Sequence, residues 1–234
     1  MTRIRWLVLF SALGSLGGCL LPSNTKSAGY KVTVPVMAKN TAREAPDLPP
    51  KVAAEACLAT ARELEAKGCD AEAADQYLRA RKFAPNQEGV AWRLAVLFGR
   101  NGYQQKAAEE FAVALKEQPK EADLHNDAGY FFAQNEQWPE AEKHLRRAIE
   151  LDRKHRQAWI NLGTVLGKTG RDDESLKAFA QVLKPAEASY NVGLLAAARG
   201  NHDRGRSLIE KALAQDPKLP NAAIVLTKLE RTGE

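Results

Sequence analysis

Small apolar residues return along the chain at a fixed interval. Ala61, Ala95, Gly129, Gly163 and Gly193 are separated by 34, 34, 34 and 30 positions. Ala73, Ala107, Ala141, Ser175 and Gly205 keep the same steps, as do Ala80, Ala114, Ala148, Val182 and Ala212. Large apolar residues follow in register. Leu64, Phe98, Phe132 and Leu166 lie three after the first series; Tyr77, Phe111, Leu145, Phe179 and Ile209 lie four after the second. Offsets of three and four place side chains on one face of a helix. Three registers sharing one period and one deletion predict a stacked array of helix–turn–helix units. The small residues mark where the first helix of a unit (A) and the second (B) cross closely.

The pattern therefore predicts an all-α chain. A helices are expected at 52–67, 87–100, 121–134, 155–168 and 186–198, and B helices at 71–83, 104–117, 138–151, 172–183 and 202–214. Pro85, Pro119 and Pro217 stop B helices. Pro139 falls in a first turn, where its missing N–H costs nothing. A last amphipathic helix at 219–231, with Ile224, Val225, Leu226 and Leu229 inward, is expected to cap the open end of the stack. The shared deletion lies between Val182 and Gly193. Pro185 follows Val182 by three, whereas Pro119 follows Ala114 by five. Helix B4 should thus be about half a turn shorter than its counterparts, with a change of pitch there.

These units resemble the tetratricopeptide repeat, whose motif is W-x2-L-G-x2-Y followed by Ala, Phe, Ala and Pro. The fourth unit reads Trp159, Leu162, Gly163, Leu166, then Ser175, Phe179, Val182 and Pro185; the second reads Ala91, Leu94, Ala95, Phe98, then Ala107, Phe111, Ala114 and Pro119. The resemblance covers roughly 54–231 and departs at Ser175, Gly205 and Val182, and at Arg153 in place of the third unit's proline. It implies a right-handed superhelical solenoid of about five repeats over 52–218, closed by a capping helix and tail at 219–234. It also implies a groove lined by the second, fifth, ninth and twelfth residues of the A helices. Carried over, these include Leu58, Arg62, Trp92, Val96, Asn126, Tyr130, Ile160, Thr164, Tyr190 and Leu194. Trp92 and Tyr130 stand out as anchors because each joins an apolar ring to a polar tip. Ile160 and Leu194 suit packing between A helices equally well. One subset of the family clamps a peptide's terminal carboxylate with Lys and Asn; Leu58 and Arg62 occupy the matching places, so that clamp is not expected.

Ahead of the repeats, two basic residues (Arg3, Arg5) precede a short apolar run from Trp6 to Leu16 and then Gly17-Gly18-Cys19. This reads as a secretory signal over 1–18. The run is too short for the roughly 20 residues a helix needs to span a bilayer. Leu16-Gly17-Gly18-Cys19 resembles the bacterial lipobox, which implies cleavage before Cys19 and lipid on its thiol. Leu20 in place of Asp implies the outer membrane, facing the periplasm. Residues 19–51, with Pro22, Pro35, Pro46, Pro49 and Pro50, read as a flexible tether of about 30 Å r.m.s. reach. Within it Tyr30–Val36 alternates like a short strand, although Pro35 favours a merely extended linker.

Composition adds little. The chain is 44% apolar and 27% charged, which is globular, and its net charge is +5. Loss of Arg3 and Arg5 with the signal leaves 5 − 2 = +3, too mild to imply nucleic acid. Cys57 lies near the start of the first predicted A helix and Cys69 in the turn after it, about 18 Å apart, beyond the roughly 7 Å of a disulfide. Phosphate-loop, dinucleotide and metal motifs are missing from the sequence, and no cofactor, metal or small-molecule substrate is expected. His125, His144, His155 and His202 read as lying in different units without ligand spacing. Lys143, Arg146, Arg147, Arg153, Lys154 and Arg156 surround helix B3. They read either as a polyanion-binding face or, with Glu140, Glu142 and Glu150, as a solvated paired surface. The expectation is a non-enzymatic envelope lipoprotein that binds a protein or peptide in its groove. It resembles bacterial lipoproteins that assemble pili or secretion pores or dock cell-wall enzymes. A polyanion-binding protein and an accessory subunit of an enzyme complex are the alternatives.

Overall fold

The computed structural model describes residues 48–231, and the expected signal, Cys19 and nearly all of the expected tether lie outside them. Among the described residues there are eleven α-helices and no strands. They are α1 (Pro50–Ala66), α2 (Asp70–Phe83), α3 (Val90–Arg100), α4 (Gln104–Glu117), α5 (Ala122–Gln134) and α6 (Trp138–Leu151). Then come α7 (Arg156–Lys168), α8 (Asp172–Phe179), α9 (Pro185–Ala198), α10 (His202–Gln215) and α11 (Ala222–Arg231). Odd-numbered helices up to α9 are the A helices and their even-numbered partners the B helices. Each A helix packs on its own B helix, and α5, α7 and α9 also meet the A helix before them. None of these helices is long and apolar enough to cross a membrane.

The three small-residue registers are where helices touch. Ala61, Ala73, Ala80, Ala107, Ala141, Ala148 and Ser175 are fully buried. A β-carbon placed on Gly163 would stand 2.9 Å from the Phe179 ring, and one on Gly193 would stand 2.8 Å from Ile209 Cγ1. Only hydrogen fits there. The large residues fill the space between: Tyr77, Phe111, Leu145, Phe179 and Ile209 are all buried. The core runs from Cys57 through Phe131 in the first units and through Leu162 and Leu166 in the middle. It continues through Val192 and Leu208 to Ala222 and Leu229 under α11.

Four A–B turns use a glycine in the left-handed region: Gly68, Gly102, Gly170 and Gly200, with φ of 74°, 79°, 85° and 87°. They keep the 34-residue step, with the 30-residue step at the end. The third unit puts Glu136 at this place, with φ of 57°. A side chain there crowds the following carbonyl, which glycine avoids.

Three expectations need correction. Helix B4 was expected to reach residue 183, but α8 ends at Phe179, giving 8 residues where α4 and α6 have 14. The deletion removes more than half a turn because Ala180–Leu183 form a tight turn beyond the helix end. Leu183 N–H reaches the Phe179 carbonyl at 2.8 Å, and Lys184–Pro185 then start α9. Val182 therefore lies in a half-buried turn rather than at a helix crossing. Ile224, expected inward, is 58% exposed, because the buried face of α11 runs through Ala222, Val225, Leu226 and Leu229. His125 and His144, read as belonging to separate units, sit on α5 and α6 of one unit, with their Nδ1 atoms 3.1 Å apart. Cys57 and Cys69 are free thiols.

Candidate functional site

The A-helix face carries two adjoining clefts of about 790 and 690 Å³. The first lies over α1 and α3 and is lined by Leu58, Arg62, Glu65, Trp92, Arg93 and Arg100. The second lies over α3, α5 and α7 and shares Arg93 and Arg100 with the first. Its other walls include Val96, Asn126, Asp127, Tyr130, Gln134, Gln157 and Asn161. Helical spacing explains the grouping: Asn126, Tyr130 and Gln134 succeed one another by four on α5, and Gln157 and Asn161 do so on α7.

A single chain of hydrogen bonds crosses the second cleft from one A helix to the next. Gln157 Nε2 donates to Asn161 Oδ1 at 3.1 Å. Asn161 Nδ2 donates to Asn126 Oδ1 at 2.9 Å. Asn126 Nδ2 donates to Asp127 Oδ1 at 3.4 Å, and Trp92 Nε1 donates to Asp127 Oδ2 at 2.9 Å from the other side. Burial raises the Asp127 pKa, only partly offset by the Trp92 and Asn126 bonds. Arg93 is turned the other way. Its Nε reaches Glu65 Oε2 at 3.1 Å, its Nη2 bonds Glu65 Oε1, and the pairing holds the guanidinium pKa above its usual value.

The sequence-derived groove residues fall into different settings. Tyr130 is open, 52% exposed at the mouth of the second cleft. Arg62 is exposed, and Val96 is half-buried in the second cleft wall. Trp92 is half-buried against the core, with its polar tip already bonded. Asn126 is buried in the hydrogen-bond chain. Ile160 packs beside Phe179 and Val192, and the Thr164 hydroxyl donates to the Ile160 carbonyl at 2.9 Å. Tyr190 and Leu194 pack with Leu219, Val225 and Leu226 around α11, and burial raises the Tyr190 phenol. Sequence reasoning passed over Asp127, Gln157 and Asn161. A signal was available: Trp92–Asp127 and Asn126–Asn161 are both separated by 35. One period plus one residue joins neighbouring A helices.

Among the described residues, the side chains of three of the six basic residues around α6 have partners. Arg146 pairs with Glu142 at 2.7 Å, and Arg147 pairs with Glu150 at 3.0 Å. Arg156 bonds the Val182 carbonyl. Arg171 adds a 2.6 Å bond to Glu142 from the next unit. Burial would raise the Glu142 carboxyl, but Arg146 and Arg171 outweigh it and hold it below the usual carboxylate range.

The tetratricopeptide repeat family model matches residues 93–155, 126–187 and 181–220. No curated protein matches the chain. Solved structures share its fold. YrrB, described as a TPR protein with an unusual peptide-binding site, is 24% identical with a TM-score of 0.58, over 72% of this chain and 89% of that one. MamA is 20% identical with a TM-score of 0.60, over 71% and 93%. The Pseudomonas aeruginosa pilF protein is 19% identical with a TM-score of 0.58, over 78% and 85%. With its repeats, crossings and turns so arranged, this chain belongs to the tetratricopeptide repeat family, whose members are in general protein-interaction scaffolds.

Proposed function

We propose that the protein is a non-enzymatic envelope lipoprotein whose A-helix groove holds an extended segment of a partner protein, as a docking or assembly factor for an envelope machine such as a pilus, secretion or cell-wall complex. The observation that carries the groove reading is Tyr130, an exposed ring at the mouth of a cleft walled by Val96 and the amides of Asn126, Gln134 and Asn161. An apolar patch with amides beside it suits a peptide, whose side chains seek the ring and whose backbone seeks donors and acceptors. Among similar structures, YrrB is described by its peptide-binding site. The envelope reading rests on the signal and lipobox pattern at 1–19.

Crosslinking and partner identification from membranes test the groove, comparing the wild-type chain with Tyr130→Ala. Aromatic anchors at interfaces often cost about 2 kcal/mol or more when truncated, so recovery should fall at least about tenfold. Unchanged recovery with unchanged folding moves the binding surface elsewhere. Mass spectrometry of the membrane-extracted protein tests the anchor. An intact Met1 or an unmodified Cys19 thiol rejects it.

A further inference from the structure

The hydrogen-bond chain across the second cleft has a direction. Every amide in it donates toward Asp127: Gln157 to Asn161, Asn161 to Asn126, Asn126 to Asp127, with Trp92 closing from the far side. Asp127 is where the chain ends, and the aligned dipoles turn their positive ends toward its carboxylate. A carboxylate accepts about four hydrogen bonds; among the described residues this one receives two, and one of those is long at 3.4 Å. Arg93, the cation whose charge acts on Asp127, is held by Glu65 through two nitrogens. No ion pair to Asp127 is formed among the described residues. A partly buried carboxylate without an ion-pair partner of its own is costly, and a cation that enters its cleft relieves that cost.

We infer that the second cleft is a subsite for a lysine or arginine side chain of the partner segment, with Asp127 as counter-charge and the Tyr130 ring as a face for the cation. This rests on the groove reading above and names the chemistry of its occupant. Tyr130 lies three residues beyond Asp127 on the same helix face, and both line the same cleft. A cation above an aromatic face is attracted by the ring quadrupole, and more strongly where water is partly excluded. Selection follows from charge: Arg93 and Arg100 also line the cleft, but Arg93 is held by Glu65 and Arg100 lies 3.8 Å from Asp70, which leaves Asp127 as the lining charge without an ion pair among the described residues. An acidic side chain in this cleft would face Asp127 directly, and a neutral amide would leave it unpaired.

The test uses the full-length chain, immobilised, and pools of acetylated, amidated nonapeptides randomised except at the centre, which is fixed as Arg, Lys, Gln, Glu or Leu. The Arg and Lys pools are expected to be retained at least fivefold over the Gln pool, with Glu retained least. In Asp127→Asn, which keeps an acceptor for Trp92, that preference should fall below twofold while melting stays within a few degrees. Tyr130→Leu should lower retention of Arg and Lys more than of Leu. Equal retention of all pools, or a cation preference that survives Asp127→Asn, overturns the subsite and leaves the groove reading standing. If Asp127→Asn does not fold, the Tyr130→Leu result decides: an equal loss for Leu, Arg and Lys overturns the subsite. No retention of any pool overturns the groove reading and this inference with it.

Discussion

Gly129 on α5 lies so close to Leu145 on α6 that a β-carbon at Gly129 would stand 2.6 Å from Leu145 Cγ and 3.2 Å from the Ala141 carbonyl oxygen. Leu145 is itself fully buried and has nowhere to retreat. Helix propensity favours replacing this glycine by about 1 kcal/mol, whereas overpacking a tight crossing costs about 1–3 kcal/mol or more. Gly129→Ala should therefore lower the melting temperature by several degrees, and Gly129→Leu should unfold the third unit. A melting temperature at or above wild type for the leucine variant would show that α5 and α6 can separate at little cost.

Glu136 stands in the left-handed turn position that glycine fills in the other four units. The side chain is exposed, so little packing is lost by removing it. Glu136→Gly should raise stability by about 0.5–1 kcal/mol, the relief of left-handed strain less the added freedom of the unfolded chain. Denaturant midpoints of the two proteins check this; a lower midpoint for the glycine variant contradicts it.

Acid should weaken the third unit. Burial, with His125 and Lys143 nearby, pushes the His144 imidazole down to about 4, and burial also lowers His125. The rings stack on each other, and His144 stacks on Phe132. Histidines in the unfolded chain take up protons near pH 6.5, but the folded pair resists. Stability is thus fully present above about 6.5 and is lost as pH falls toward 4, by about 2 kcal/mol between pH 7 and 4. Urea melts at stepped pH should show this slope in wild type and a flatter one in His144→Gln. Parallel slopes would assign the acid loss to other groups.

Trp92 and Tyr130 should behave differently. Trp92 packs against the core and bonds Asp127, while Tyr130 is half in solvent. Trp92→Ala is expected to cost about 2 kcal/mol or more of stability, and Tyr130→Ala less than about 0.5 kcal/mol. Calorimetry separates them. Equal losses would place both rings in the structural core.

Much of the fold was legible because crossings demand small residues and the space between them demands large ones. Those demands repeat with the unit, so Ala61, Ala73, Phe111 and Leu145 show their positions in the sequence alone. The site was less legible. Which polar side chains meet depends on how far one A helix is offset from the next, and that offset is a property of the stack. Trp92 finding Asp127, and Asn161 finding Asn126, express an offset of 35 that no single repeat contains. The end of α8 was misjudged for a related reason. Val182 continued the register on paper, but with Pro185 only three residues on, the chain turned after Phe179 instead.

The short α8 has a mechanical meaning. A solenoid loaded at its two ends carries the same tension through every unit, so extension gathers in the most compliant one. With 8 residues in α8, the fourth unit offers the least helix to resist being drawn out. Across that weak link run Arg199 to Asp172 at 2.7 Å, with a second bond from Arg199 to the Gly167 carbonyl, and Arg204 to Asp173 at 2.9 Å. These side chains staple the fourth unit to the fifth. Under a steady pull the protein should first yield there, leaving units one to three intact as a block that still carries Trp92, Asp127 and Tyr130.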